Sequence, residues 1–148
     1  MSRSPHLLLV LAPYYAHIAA MLRQGAERAI AAAGATCEIV EVPGAFELTP
    51  AIAFAAKAAE RFDGYVALGC VIRGETSHYD HICEETARAL QDMGVRDGLA
   101  IGYGILTVEN EAQALARAAP GNRDKGGEAV RACLAVIDIK RRFAEPGS

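Results

Sequence analysis

The densest chemistry in this chain lies in Val71-Ile-Arg-Gly-Glu-Thr-Ser-His-Tyr-Asp80. The segment follows an apolar run and precedes a helical pattern. Gly74 allows the tight or left-handed backbone that a strand exit needs, and Thr76 and Ser77 place hydroxyls where a helix begins. The first amides of a helix have no intrahelical partner and sit at the positive end of its dipole, so that terminus is a ready anion site. The plainer reading is helix capping by the hydroxyls. Arg73 can assist an anion or point away. His78 stands one residue past the hydroxyl pair, where an imidazole titrating near neutrality can shuttle protons on a substrate held at the terminus; the alternative is a capping or surface histidine. A metal centre at His78, Asp80, His81, Cys83 and Glu84 is the poorer fit. His78 and His81 are three apart, no H-E-x-x-H occurs, and no second cluster completes a ligand set.

Three other segments carry candidate contacts. In Val42-Pro-Gly-Ala-Phe-Glu47, Pro43 and Gly44 shape a turn before a helix. Glu47 either complements the dipole there or accepts hydrogen bonds from a polyol or amine. Phe46 is either a wall for a flat ring or a core residue. Tyr14, in Pro13-Tyr-Tyr15, can stack on a planar heterocycle. Gly102-Tyr-Gly104 sets an aromatic between two glycines that permit close backbone approach. None of these glycines completes a dinucleotide fingerprint, and Gly121-Asn-Arg-Asp-Lys-Gly-Gly127 is no Walker motif. That last stretch reads as a basic, flexible connection between helices. Arg117 and Lys125 add cations near it, a residue type that is ordinarily solvated.

These segments need a scaffold that gathers them, and the hydropathy pattern supplies one. Leu7–Ala12 and Gly64–Cys70 are continuous apolar runs, as in strands covered on both faces. Thr36–Val42 and Leu99–Leu106 read as two further strands. Helical spacing covers about Tyr15–Ala33, with Gly34 as its stop. A second helix runs from a Thr49 cap and Pro50 to about Arg61. A third runs from Thr76-Ser77 to about Met93. A fourth starts near Val108, with Thr107 as cap and Glu109 and Glu111 in its first turn, and the last spans about Lys125–Phe143. Alternating strands and helices predict a parallel sheet with helices on both faces. In such sheets ligands bind beyond the carboxyl ends of the strands, so the informative residues are expected to follow Ala12, Val42, Cys70 and Leu106.

The bulk numbers agree with such a domain. The 148 residues fit one domain, and at 52% apolar they can fill a sizeable core. A net charge of −3 argues against a nucleic-acid binder, and Lys140-Arg141-Arg142 reads as a solvated helix end. The four cysteines form no C-x-x-C pair and are expected as free, mostly buried thiols in a reducing cytosol. The opening Met1-Ser-Arg-Ser-Pro-His shows no signal-peptide pattern, and no apolar run is long enough to span a bilayer. The expected setting is soluble and cytoplasmic. No linker, low-complexity tract or internal repeat is evident.

Taken together the chain resembles the lumazine synthase family. The resemblance rests on Val42–Pro50, Gly69–Asp80, Gly102–Thr107 and Asn122–Glu128, which occur in the family's order and spacing. It implies a flavodoxin-like, three-layer α/β subunit with a four-stranded parallel sheet and about five helices. It further implies assembly into pentamers at least, with active sites between neighbours. The implied reaction joins 5-amino-6-(D-ribitylamino)uracil to 3,4-dihydroxy-2-butanone 4-phosphate without a metal or redox cofactor.

The family's roles carry over by position. Tyr14 is the aromatic stacking on the pyrimidine, and Ala45, Phe46 and Glu47 hold the ribityl chain. The backbone at Val71 and Ile72 reads the uracil edge. Glu75 and Thr76 hold the phosphate, and His78 transfers protons. Tyr103 and the phosphate-binding Arg117 come from the adjacent subunit, with Lys125 and Glu128 as a nearby charged pair. Three departures stand out: Tyr15 replaces a common Asn, Glu75 replaces a small residue, and Tyr14 and Tyr103 replace Phe or Trp. Glu75 is expected to face solvent, since its carboxylate would repel an anion. The competing implications are a non-catalytic lumazine- or riboflavin-binding assembly protein, and a riboflavin-synthase-like enzyme on the same fold.

Overall fold

A strand that is apolar at every position must bury both faces. The computed structural model, which describes residues 3–58 and 61–144, shows how this is done. Strands β1 (His6–Leu11), β2 (Thr36–Glu41), β3 (Gly64–Ile72) and β4 (Ile101–Val108) form one parallel sheet in the order β2-β1-β3-β4. The helices are α1 (Ala16–Ala32), α2 (Leu48–Ala58), α3 (His78–Asp97), α4 (Glu111–Ala118) and α5 (Lys125–Ala144), with a short 3-10 turn at Ala45–Glu47. The result is the three-layer, flavodoxin-like α/β sandwich that the alternation of elements and the family resemblance implied.

The two-residue period of the strands sorts the core into two halves. Leu7, Leu9, Leu11, Val66 and Leu68 pack against Ile18 and Leu22 of α1, Ala114 and Ala118 of α4, and Val130 and Cys133 of α5. Leu8, Val10, Ala67 and Ile105 face Leu48 and Ile52 of α2 and Leu90 and Met93 of α3. Each fully buried Leu or Ile contributes about 1.5–3 kcal/mol over leaving it exposed. Helix α5 sits close on both the sheet and α1 because a glycine lies at each contact, Gly102 on β4 and Gly126 on α5 itself. A Cβ on Gly102 would stand 3.1 Å from the Ala129 carbonyl carbon, and one on Gly126 would stand 2.9 Å from that of Leu22. The close approach at Gly102-Tyr-Gly104 is therefore made by a helix.

Several boundaries differ from the sequence reading. Thr107 does not cap α4: it remains in β4, paired with Val71, where a β-branched residue fits the pleat. Asn110 caps instead, its Oδ1 accepting the Gln113 N–H at 2.9 Å while Gln113 Oε1 accepts the Glu109 N–H at 2.8 Å. Glu109 thus precedes the helix and only Glu111 lies in its first turn. Helix α2 grows directly out of the 3-10 turn, so Thr49 and Pro50 lie inside its first turn, where a missing N–H does no harm. Its description ends at Ala58; residues 59–60 lie outside the described residues, and Arg61 is not helical. Helix α3 runs on past Met93 until Gly98, at φ 67°, returns its N–H to the Met93 carbonyl. Gly34, at φ 70°, follows α1 as expected. Of the four free thiols, Cys70 and Cys133 are buried, but Cys37 and Cys83 are partly exposed. Among the described residues no helix is long and apolar enough to cross a membrane.

Candidate active site

The chain leaves β1 for β2 on one side and later lays β3 on the other, so a crevice forms where the strand order reverses. A cleft of about 350 Å³ opens there. Tyr14 and Tyr15 enter it from the β1 exit, Ala45, Phe46 and Glu47 from the 3-10 turn, Val71 and Ile72 from the end of β3, and His78 from the start of α3. Tyr14 and Phe46 are 75% and 60% exposed. Two large rings left in water in the lining of one cleft forgo burial worth about 1.5–3 kcal/mol each, which a flat ligand would recover. Tyr15 braces Tyr14 edge-on, with ring centroids 5.0 Å apart.

The floor of the cleft is main chain. Pairing between β1 and β3 ends at Leu11 with Leu68, whereas β3 continues beside β4 to Ile72. Ladder groups alternate sides in a parallel sheet. Arg73 N–H bonds to Val108 O on the β4 side, so the N–H and C=O of Cys70 and Ile72 face the side that β1 has vacated. That edge can read the rim of a heterocycle. Cys70 lines the cleft too, but burial pushes its thiol up to about 11, so it is neutral near pH 7.

Arg73 does not line the cleft, and its charge is taken up by carboxylates. Its Nε lies 2.8 Å from Glu109 and its Nη2 3.3 Å from Asp80, and its guanidinium covers the Tyr79 ring at 4.3 Å. It ties the end of β3 to α3 and to the end of β4, with two carboxylates matching its charge. Between these anchors Glu75 and Thr76 are exposed and lie outside the lining of the cleft. Thr76 Oγ1 accepts the His78 N–H at 3.3 Å, whereas Ser77, the N-cap, makes no side-chain cap bond. His78 itself is exposed at the cleft wall.

The remaining candidates gather elsewhere. A second concavity of about 270 Å³ lies along the open edge of β4, lined by Tyr103, Arg117, Lys125 and Glu128. Lys125 Nζ is 3.1 Å from Glu128 Oε1 and 5.9 Å from the Tyr103 ring centroid. Arg117 is half-buried and donates from Nη1 to the Gln113 carbonyl at 3.1 Å. Burial raises the Tyr103 phenol above its ordinary value. The two concavities share no lining residue. Sequence reasoning passed over Ile82 in the cleft and Arg123 in the second cavity. Ile82 lies one helical turn beyond His78, a spacing that marks a shared face. Arg123 stood in a recognised segment, but nothing in the pattern showed where it pointed. Among the described residues no three His, Cys, Asp or Glu side chains converge as metal ligands.

Comparison with known proteins bears on this arrangement. The family model described as 6,7-dimethyl-8-ribityllumazine synthase matches residues 4–141. The chain belongs to that family. It is 52% identical over 142 residues to 6,7-dimethyl-8-ribityllumazine synthase 1 of Rhizobium meliloti (strain 1021), covering 93% of each chain. It is 53% identical to the 6,7-dimethyl-8-ribityllumazine synthase of Sphingopyxis alaskensis, covering 93% of this chain and 96% of the relative. With that of Agrobacterium fabrum it shares 49% identity, over 94% and 97%. The lumazine synthase match takes in both concavities, since it extends beyond Tyr14 on one side and Glu128 on the other.

Proposed function

We propose that this protein synthesises 6,7-dimethyl-8-ribityllumazine for riboflavin biosynthesis, condensing 5-amino-6-(D-ribitylamino)uracil with 3,4-dihydroxy-2-butanone 4-phosphate. The two concavities are halves of one site, closed between neighbouring subunits of a homo-pentamer or larger assembly. The observation that carries this reading is the partition itself. A ring-stacking cleft with a main-chain floor and a histidine occurs without a cation to hold phosphate, while a cationic cavity occurs separately at an open sheet edge.

Tyr14 and Phe46 flank the pyrimidine and its ribityl chain, Glu47 accepts ribityl hydroxyls, and the free main-chain edge at Cys70 and Ile72 reads the uracil beside the Val71 side chain, whose own peptide groups face β4. The Glu75–Thr76 turn and the neighbour's Arg117 hold the phosphate. The uracil amine attacks the ketone to give an imine and water. Elimination then expels phosphate, and the ribitylamino nitrogen attacks the remaining carbonyl carbon and closes the ring with loss of a second water. These steps are redox-neutral. They need proton transfers, which His78 provides, and stabilised phosphate departure, which cationic donors provide. Holding two substrates face to face supplies much of the remaining acceleration. Four free thiols suit a cytoplasmic setting.

The test is to mix both substrates with the purified protein and follow the fluorescent lumazine. Binding of lumazine without its formation would refute the reading in favour of a non-catalytic binder, the alternative that Glu75 beside the anion turn favours. For the shared site, His78→Ala and Arg117→Ser subunits are unfolded together and reassembled. Mixed assemblies should recover activity above either parent; no recovery, or an active monomer, would refute a site made by two subunits.

A further inference from the structure

The connection between α4 and α5 is a pinned turn rather than a flexible link. Asn122 and Asp124 both donate their N–H to the Ala119 carbonyl, at 2.9 and 3.1 Å, and the Arg123 N–H reaches the Ala116 carbonyl at 3.4 Å. Asp124 adopts the left-handed region at φ 51°, which Asp tolerates better than most residues. Its carboxylate accepts the Gly127 N–H at 3.2 Å and stands 3.7 Å from the Arg131 guanidinium. Arg123 and Lys125, on either side of this fixed residue, both line the β4-edge cavity.

The charges in that cavity do not cancel. Lys125 is paired with Glu128. Arg117 donates to a neutral carbonyl, so its charge is unmatched. The Arg123 side chain makes no hydrogen bond or ion pair with any described residue. Three cations face one carboxylate, leaving two unmatched positive charges in the lining of one cavity, Arg117 on α4 and Arg123 on the pinned turn. A phosphate monoester carries about −1.5 to −2 near neutral pH and three acceptor oxygens, and guanidinium forks match that geometry.

We infer that Arg123 is a second phosphate-recognition arginine, which together with Arg117 clamps the dianionic phosphate of the ketone substrate. The inference rests on the proposed reading of the two cavities as one site. It also bears on Glu75: the carboxylate beside the anion turn is offset by the unmatched guanidinium in the facing half.

The test titrates the assembled protein with inorganic phosphate by calorimetry and measures KM for each substrate. Arg123→Gln should weaken phosphate, and raise KM for the phosphorylated ketone, by roughly 10-fold, the order expected for losing a charge-assisted hydrogen bond. KM for the pyrimidine should hold. Arg123→Lys, which keeps the charge but not the fork, should show a smaller loss in the same direction, and it carries the test if the glutamine variant fails to assemble. Added salt should narrow the gap between wild type and Arg123→Gln, because the site is open to solvent. Unchanged phosphate affinity in both variants, or equal KM losses for both substrates, overturns the assignment. So does a change in assembly mass with phosphate affinity retained. If the wild type binds phosphate but forms no lumazine, the proposed reaction fails while the role of Arg123 in anion binding stands.

Discussion

Gly126→Ala should destabilise this protein even though alanine is the better helix former. Taken alone, the exchange offers up to about 1 kcal/mol in favour of the helix. Against that stands the packing of α5 on α1. The new Cβ would lie 2.9 Å from the Leu22 carbonyl carbon, 3.1 Å from its Cα and closer still to its oxygen. These are backbone atoms of a helix and cannot swing aside. Relief requires the two helices to part by roughly 1 Å, and a gap of that size forfeits a quarter to a half of the attraction of each loosened contact. The contacts at risk include Ile18, Leu22 and Ala26 against Val130 and Cys133. Overpacking of this kind typically costs about 1–3 kcal/mol, so a net loss near 2 kcal/mol is expected, or about 5 °C in Tm for a chain of this length. The measurement is thermal or urea unfolding at matched protein concentration, since assembly makes stability concentration-dependent. Gly94→Ala is the internal control. On α3 its Cβ would meet only the Leu99 carbonyl oxygen at 3.6 Å, ordinary contact, so that variant should be unchanged or slightly more stable. If Gly126→Ala melts at or above the wild type, the steric reasoning is wrong. Lys125 and Glu128 ride on the same first turn of α5, so the variant should also bind phosphate less tightly.

His78→Ala should slow turnover roughly 10- to 100-fold without abolishing it, because positioning of the substrates persists; an unchanged steady-state rate removes His78 from the mechanism. Alkylation monitored by mass should modify Cys37 and Cys83 well before Cys133. Burial raises all three thiols above their ordinary value, Cys133 up to about 12, so labelling of the first two should climb only on the alkaline side, and early labelling of Cys133 in the folded protein would contradict the core described above. Asp63→Asn should lower stability by about 1–2 kcal/mol at neutral pH. Burial pushes the Asp63 carboxyl up, but the His6 N–H and then the Arg3 and Arg141 guanidinia outweigh it and hold the group below its ordinary value. Its contribution is therefore complete above the unfolded pKa of about 3.9 and is lost as pH falls through the lower folded value. Unfolding curves from pH 6 down to pH 3 should show a shallower acid slope in the variant, and identical slopes would refute the assignment.

Patterns dominated by burial were the readable part of this sequence. The apolar runs at Leu7–Ala12 and Gly64–Cys70 announced doubly covered strands because no other short element hides both faces. Local end signals misled where tertiary pairing decided the boundary. Thr107 has the right chemistry for a cap, yet its place opposite Val71 keeps it in the ladder. The partition of the candidate residues between two cavities was not legible from residue types, because it depends on which side of β4 each helix comes to rest. Arg73 illustrates the same limit: a cation next to an anion terminus suggests a ligand contact, and only the positions of Glu109 and Asp80 reveal a brace.

The overhang of β3 beyond the end of β1 has a consequence for how this cleft can evolve. A flat ring read by peptide groups at positions 70 and 72 is read by atoms that every residue except proline possesses. The side chains there can vary within what core packing admits, Cys70 being buried and Ile72 packed against the core, while ligand recognition survives. Proline at position 72 stands apart, because it alone deletes the donor. Tolerance at these positions in a saturation library, broken only by proline and by residues too bulky for the strand, is the mutational signature of a recognition surface written in backbone.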